Sequence, residues 1–404
     1  MSKSNEITPN VPTLRFREFT DSWTLIPIKK LLRFQNGINA DSTKYGKGIK
    51  YISVSDILNN QYITYDCIKG LIDIDEKTFN KFIVEYGDIL FQRSSETFED
   101  IGRANVYLDK EHSATFGGFV IRGKKISDYN PLFFRYLLCT HNARKQTVRM
   151  GAGAQHYNIG QEGLEKICLY FPCLQEQQKI SDFLSAIDNK IAVQNKIISD
   201  LKVLKKELCN RYFKSVHNDT SLEYVTLKDI LTERKEYCSK DGTYPHGTLS
   251  KEGVSPKTER YDRDFLVKNE DKQYKVTHFN DICYNPANLK FGVICRNTYG
   301  DLIFSPIYVT FEIADTVYPA YIELFLTNAN FIGRIRRYEQ GTVYERMAVS
   351  PEDFLSYETR MPTYKEQVKF ADKIQRIQDK IELESLFLNY LQKQRKYLLN
   401  AMFI

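Results

Sequence analysis

The feature that most constrains the fold of this chain is an internal repeat. The segment Q-E-Q-Q-K-I at 175–180 recurs as K-E-Q-V-K-F at 365–370, and residues 201–213 are matched in the same way by residues 391–403. Two long segments that agree along their length indicate a duplicated framework. A repeat of this kind restricts the possible folds more than any single motif does.

The segments upstream of the two repeats are also related, but more loosely. G-D-I-L at 87–90 resembles N-D-I-C at 280–283, and the offsets drift as insertions in loops would cause. A chain of 404 residues also exceeds the usual size of one hydrophobic core. We therefore predict a first domain at 1–174, a long helix at 175–217, a second domain at 218–363 and a second long helix at 364–404.

The repeated segments carry a heptad pattern of apolar residues, with polar interruptions at equivalent places in both copies. The pattern predicts that the two helices pair with each other as a coiled coil. The alternative is that each helix packs on its own domain. The predicted helix-pairing residues are Ile180, Leu184, Ile187, Ile191, Gln194, Ile198 and Leu201 in the first helix, and Ile374, Ile377, Ile381, Glu384, Leu388 and Leu391 in the second.

Both domains have the pattern of mixed, strand-rich folds. Short β-branched and aromatic runs such as 49–54 and 307–311 alternate with Gly, Asn and Asp turns, which is typical of strands. Each domain also carries one predicted helix that begins at a proline, at 131–139 and at 319–327. The predicted fold class is therefore α+β, with two strand-rich domains joined by two long helices.

A basic stretch and a glycine-containing loop follow that helix in both copies. Arginine can contact phosphates or a guanine edge, and glycine lets the backbone approach DNA closely. A cation near a helix C-terminus can instead complement the helix dipole. The candidate DNA-contacting residues are Arg144, Lys145, Arg149, Gln155, His156 and Tyr157 in the first copy, and Arg334, Arg336, Arg337 and Tyr344 in the second.

No catalytic motif is recognisable in the sequence. A phosphate loop of the form G-x-x-x-x-G-K-[ST] is absent, and N-P-A-N at 285–288 departs from the N/D-P-P-Y/F motif of amino-methyltransferases. D-E-K at 75–77 fits the D/E-x-K pattern of nucleases, but D-N-K at 188–190 fits it equally well inside a heptad segment. The eight cysteines include no C-x-x-C pair, which favours scattered reduced thiols over a metal site.

Charge and hydropathy limit the possible partners. The net charge of +6 hints at a polyanion, but residues 218–363 are acidic overall, so any nucleic-acid surface there has to be a local patch. The sequence has no run of 18 apolar residues and no apolar segment like that of a signal peptide. We therefore expect a soluble cytoplasmic protein.

Four segments resemble the specificity subunit of type I restriction–modification systems: P-T-L-R-F-R-E-F-T-D-S-W at 12–23, F-P-C-L-Q-E-Q-Q-K-I at 171–180, its weaker copy M-P-T-Y-K-E-Q-V-K-F at 361–370, and L-Q-K-Q-R-K-Y-L-L-N-A-M-F at 391–403. The resemblance implies two target recognition domains, each reading one half of a split, asymmetric site in double-stranded DNA. It also implies that the two helices pair antiparallel as a spacer.

The same resemblance implies a division of labour between chains. This chain would have no cofactor and would not itself be an enzyme. Two modification subunits would bind S-adenosylmethionine and methylate adenine, and restriction subunits would use ATP and Mg²⁺. Two alternatives remain open on the residues alone: a coiled-coil adaptor that binds only proteins, and an enzyme with unrecognised motifs.

Overall fold

The computed structural model describes residues 10–153, 156–239, 243–251, 253–257, 273–339 and 348–404. The chain divides into two compact units. Unit 1 comprises residues 1–194 and 387–404, and unit 2 comprises residues 195–386. The two long helices, α6 (Leu174–Asn218) and α11 (Tyr364–Ala401), each contribute one part to each unit instead of forming a body of their own.

Unit 1 is a strand-rich α+β domain. Its strands are β1 Thr24–Pro27, β2 Leu32–Asn36, β3 Tyr45–Ile52, β4 Leu71–Ile72, β5 Ile89–Gln92, β6 Ser94–Ser95, β7 Ala104–Val106, β8 Thr115–Phe116, β9 Val120–Lys125, β10 Tyr157–Asn158 and β11 Cys168–Phe171. Its short helices are α1 Val54–Asn59, α2 Glu76–Lys81, α3 Pro131–Leu138, α4 His141–Arg149 and α5 Gln161–Glu165, and its 3-10 helices are Ile28–Lys30, Ser42–Lys44 and Phe98–Asp100. The main sheet is antiparallel with strand order β2-β9-β5-β7, and a second sheet has the order β4-β3-β8.

The central strand β5 separates two hydrophobic cores. All four of its residues are buried. Ile89 and Phe91 belong to the core shared with α3 and the long helices, whereas Leu90 packs in the core on the other face. Alternate residues of a strand point to opposite faces, so the consecutive apolar residues Ile89, Leu90 and Phe91 are what a strand covered on both sides requires.

Unit 2 has the same plan. Its strands are β12 Tyr224–Thr226, β13 Leu231–Glu233, β14 Tyr237–Cys238, β15 Gly247–Ser250, β16 Gly253–Pro256, β17 Tyr274–Thr277, β18 Ile282–Tyr284, β19 Ile294–Arg296, β20 Leu302–Phe304, β21 Val309–Ile313 and β22 Glu358–Arg360. Its short helices are α7 Leu227–Ile230, α8 Pro319–Leu326, α9 Ala329–Ile335 and α10 Pro351–Leu355, and its 3-10 helices are Pro286–Phe291 and Arg336–Tyr338. The main sheet has the order β13-β21-β18-β19, and β18 divides its residues between two cores as β5 does.

The related segments at 87–90 and 280–283 begin with the same type of turn and continue into a buried strand. Gly87 and Asn280 both have positive φ, at 91° and 73°, in the left-handed region that Gly and Asn tolerate best. The following Asp88 is buried and accepts hydrogen bonds from the Glu85 backbone N–H and from Arg122. Asp281 is buried in the same way, where it pairs with Arg234 at 2.8 Å. The shared residues therefore maintain the framework.

The repeated glutamine at the start of each long helix has the same task in both units. The Gln177 side-chain oxygen accepts the backbone N–H of Asn130 at 2.9 Å, and its amide donates to the Pro172 carbonyl at 2.9 Å. Gln367 makes the equivalent bonds to Tyr318 and Pro362 in unit 2, also at 2.9 Å. Each glutamine thus joins its long helix to the start of the helix preceding the basic stretch.

The long helices pair antiparallel within each unit. In unit 2, Lys205 donates to Gln378 at 2.8 Å, and Tyr212 stacks on Phe370 with ring centroids 3.6 Å apart. Contacts therefore move down one helix as they move up the other. All predicted helix-pairing residues lie on α6 or α11, and none of them is exposed. In unit 1 the apolar seam also merges with the domain core, so helix pairing and packing on a domain occur together.

The predicted α+β class is confirmed, but the prediction that each domain carries only one helix was wrong. The basic stretch that we expected to trail from the first helix is a second helix in both units, α4 and α9. Thr140 ends α3 and caps α4, since its hydroxyl accepts the Ala143 N–H at 3.4 Å, and Asn328 caps α9 in the same manner. In the part of the chain that the structure describes, no helix is long and apolar enough to span a membrane.

Candidate nucleic-acid interface

Helix α4 presents the three predicted basic residues of unit 1 in different surroundings. Arg144 is half-buried, and its guanidinium donates to the backbone carbonyls of Glu99 at 2.9 Å and Ile101 at 2.6 Å. Burial lowers the pKa of Arg144. This side chain therefore holds the loop before β7 in place. Lys145 and Arg149 are exposed on the same helix and remain available to a ligand.

The loop after α4 is fixed by a short sheet. His156 is exposed, and Tyr157 in β10 pairs with Ser95 of β6. The Tyr157 ring packs edge-on against Phe98 at 5.2 Å. These contacts hold the two aromatic rings together beside the C-terminal end of α4. Gln155, the remaining candidate of this loop, lies outside the described residues.

In unit 2 the candidates divide in a similar way. Arg336 and Arg337 are exposed in the 3-10 helix Arg336–Tyr338, where the Arg336 guanidinium lies 3.9 Å from Glu339. Arg334 is half-buried and lines a cavity of 310 Å³ together with Lys214 and His217. Partial burial, followed by the charges of Arg334 and Arg360, lowers the pKa of His217. Tyr344 lies outside the described residues.

No acidic side chain is among the described residues that line this cavity. The equivalent position of unit 1 is occupied differently, because Gln146 of α4 exchanges two hydrogen bonds with the backbone of Cys168, at 2.8 and 3.0 Å. At the corresponding position of unit 2, Arg334 places a cation where unit 1 has the Gln146 amide. The framework is therefore retained while the chemistry of the basic surface differs between the units.

One segment of unit 1 that the sequence did not single out connects the aromatic loop to a neighbouring turn. The backbone N–H of Arg93 donates to the Phe119 carbonyl at 2.9 Å, and its guanidinium donates to the Gly118 carbonyl at 3.3 Å. The Arg93 carbonyl accepts the Ile159 N–H at 3.0 Å. Arg93 thus joins the loop that carries Tyr157 to the turn that carries Phe119. The only sequence signal for this turn is its pair of glycines before an aromatic residue.

The segments that resembled enzyme motifs have structural tasks. Asp75 caps α2, because its carboxylate accepts the Thr78 N–H at 2.6 Å. Asn285 caps the 3-10 helix Pro286–Phe291 by accepting the Ala287 N–H at 3.1 Å. Among the described residues, no cluster of three His, Cys, Asp or Glu side chains could hold a metal ion. Both motif-like segments are thus explained by local capping.

Comparison with solved structures defines the class of fold. The specificity subunit of a type I restriction–modification system from M. genitalium superposes with a TM-score of 0.56 over 98% of this chain and 99% of its own, at 14% identity. A chain from a structure that describes complex assembly and conformational transition of a type I restriction–modification system gives a TM-score of 0.57 at 11% identity, over 94% and 96%. The chain therefore has the fold of these subunits.

Sequence comparison points in the same direction. Residues 22–203 match the model of the type I restriction modification DNA specificity domain. The type I restriction enzyme MjaVIII specificity subunit of Methanocaldococcus jannaschii is 20% identical over 198 residues, which cover 48% of this chain. The match spans 46% of the length of that relative. The resemblance noted in the sequence is confirmed, and a role in DNA sequence specificity follows for the family.

Proposed function

We propose that this chain is the DNA-binding specificity subunit of a type I restriction–modification complex, reading a two-part site with one target recognition domain per half-site. The observation that carries the proposal is the duplicated surface. Each unit places exposed basic side chains, Lys145 and Arg149 or Arg336 and Arg337, on or directly after a helix that the same capping scheme positions. The surrounding residues differ, as expected of two readers with different targets.

The chain itself is proposed to be non-catalytic and to recruit its enzymes. Within unit 1, α11 exposes Phe387, Tyr390 and Tyr397, which are 50%, 68% and 64% exposed. Spacings of three and seven residues place these aromatic side chains on one face of the helix. Aromatic residues are enriched at the core of protein interfaces. We therefore infer that this face binds a modification subunit, and that S-adenosylmethionine, ATP and Mg²⁺ belong to the partner subunits.

Binding of the purified chain to duplex DNA across a salt series tests the DNA-reading role. Contacts to several phosphates release counterions, so the logarithm of the association constant should fall steeply and linearly with the logarithm of the salt concentration. A chain that binds modification subunits but shows no salt-dependent DNA binding would instead be a protein adaptor, and the proposal would fail.

Two arginines on α4 provide a matched pair of variants. Arg149→Ala is expected to weaken DNA binding without changing the melting temperature, because Arg149 is exposed. Loss of a phosphate contact would weaken all sequences equally and reduce the salt slope by about 1, whereas loss of a base contact would cost about 1–3 kcal/mol at one base position. Arg337→Ala should act in the same way in unit 2.

Arg144→Ala is the control for these variants. Its guanidinium holds two backbone carbonyls, so its removal should lower the unfolding midpoint of unit 1. Thermal unfolding and titration with labelled duplex separate the two effects. Arg149→Ala and Arg337→Ala proteins with wild-type DNA affinity and salt slope would leave only the helix-dipole explanation for these cations.

A further inference from the structure

One turn in each unit holds a large apolar side chain in solvent. Phe119 is 70% exposed and Ile307 is 63% exposed. Outside α6 and α11, these are the two highest exposures of large apolar side chains among the described residues. A single exposed apolar residue is ordinary, but recurrence at an equivalent position in two diverged domains calls for a common cause.

The two turns are equivalent in topology. The first connects β8 to β9, and the second connects β20 to β21. Strand β9 pairs antiparallel with the central strand β5, and β21 pairs antiparallel with the central strand β18. Phe119 and Ile307 therefore occupy the same place on the duplicated framework, although the surrounding sequences differ.

The local geometry of the turns is also the same. In unit 1 the Val120 N–H donates to the Gly117 carbonyl at 2.9 Å, and in unit 2 the Tyr308 N–H donates to the Ser305 carbonyl at 3.1 Å. Each bond closes a four-residue β-turn with the apolar side chain at its third position. Pro306 restricts the second position in unit 2. Both side chains are consequently held outward on closed turns.

The unit 1 turn is further restrained by its glycines and by Arg93. A Cβ atom on Gly118 would lie 1.6 Å from the Asn39 side-chain oxygen and 3.2 Å from the Ile38 carbonyl oxygen, so a larger residue there would displace the Asn39 side chain. The two hydrogen bonds from Arg93 tie the turn to the loop that carries Tyr157. The Phe119 side chain is therefore held in a fixed position beside the predicted DNA-contacting loop, which suits it to contact DNA.

The surface around Phe119 is suited to nucleobases. Phe119 and Tyr45 line a cavity of 600 Å³ together with Tyr51, whose ring centroid lies 5.3 Å from that of Tyr45. The other described residues lining it include Asn39, Ser42, Ser53 and Ser55, and none of the described lining residues is charged. Aromatic faces combined with hydroxyl and amide groups match a planar, neutral ring with hydrogen-bonding edges.

We propose that Phe119 and Ile307 are wedge residues that insert between base pairs, one in each half-site, and partly unstack the duplex there. Inserted Phe and Ile side chains are a known means of kinking DNA. Such a wedge makes binding depend on how easily a base step deforms, so it contributes to specificity without hydrogen bonds to base edges. The inference rests on the proposed function, since it assumes that both units bind DNA.

The test uses the full-length chain and a duplex containing the site found by mapping modified adenines. The fluorescent base 2-aminopurine, which brightens when it is unstacked, is placed in turn along both half-sites. Wild-type protein should brighten one step in each half-site. Phe119→Ala should abolish the signal in one half-site only, and Ile307→Ala should abolish it in the other, each with an affinity loss of about tenfold.

Matched controls are Ile126→Ala in unit 1 and Phe279→Ala in unit 2, which remove apolar side chains that are 46% and 58% exposed at other positions. Both should retain the wild-type signal, and Phe119→Leu should retain most of it because the side chain stays apolar.

Unchanged brightening in Phe119→Ala and Ile307→Ala, with DNA binding retained, would overturn the proposal that these residues are wedges. The wedges would also be overturned if these variants kept the signal and lost a modification subunit, which would identify a protein contact. Absence of salt-dependent binding by wild-type protein would overturn the proposed function itself.

Discussion

Exchanging residues 24–172 for the same region of a relative is expected to change one half of the methylated site and leave the other half and the spacer unchanged. Side-chain contacts to base edges reach only a few ångströms, so specificity is local to the domain that makes them. The exchanged region contains α3, α4 and the basic surface of unit 1, and it stops before α6 begins at Leu174. Mapping of methylated adenines in a host that carries the hybrid gene gives the answer.

The junctions of this hybrid need one control. The backbone N–H of Asn130 bonds to Gln177 of α6, which lies outside the exchanged region, so the donor should place a residue other than proline at that position. A hybrid that alters both half-sites together would contradict two independent readers. A hybrid whose site keeps both halves but changes its spacer would contradict the assignment of spacing to the helices.

Replacement of Asp188 by alanine is expected to give a large loss of stability. Asp188 is 7% exposed, accepts a hydrogen bond from the buried Tyr136 hydroxyl at 2.9 Å, and forms an ion pair with Arg395 across the unit 1 helix pair. Removal of one partner leaves the other charge and the hydroxyl poorly compensated. We expect a loss of about 2–4 kcal/mol, below the value for a fully buried pair because the Arg395 side chain keeps 29% exposure.

The duplicated chain offers a matched control at the equivalent position. In unit 2 that position is Gln378, which accepts one hydrogen bond from Lys205 at 2.8 Å. Gln378→Ala removes this bond and the one that the Gln378 amide donates to the exposed Glu382 side chain at 2.8 Å, and it should cost about 0.5–1.5 kcal/mol because the exposed acceptor regains water. Urea unfolding of both variants measures the difference. Equal losses of unfolding free energy in the two variants would show that the contacts of Asp188 with Arg395 and Tyr136 add no more stability than the contacts of Gln378 do.

The sequence predicted the framework well because the framework depends on periodicity and on repetition. The repeat around Gln177 and Gln367 marks two residues that make identical backbone bonds. Gly87 and Asn280 both adopt a left-handed conformation, which explains why the short segments at 87–90 and 280–283 resemble each other. Positions of this kind tolerate few residue types, so they leave a signal in a single sequence.

The candidate DNA-contacting surfaces were harder to predict, because the residues on them depend on the ligand and not on the framework. The two breaks that separate α3 from α4 and α8 from α9 depend on single capping residues, Thr140 and Asn328, which the charge pattern does not reveal. Arg144 has the residue type of a DNA contact but is used to hold backbone carbonyls. Phe119 has the residue type of a core position but is exposed. In both cases residue type alone is ambiguous, and only the fold assigns the role.

Modified-adenine sequencing of a host that carries this gene and its modification partner, compared with the same host lacking only this gene, shows whether this chain selects the methylated sequence. We expect a new two-part sequence motif with a fixed gap, methylated only when the gene is present. Each half of the motif should change independently when the corresponding domain is exchanged. Identical adenine methylation with and without the gene, in cells where the chain and its partner are both produced, would contradict the account.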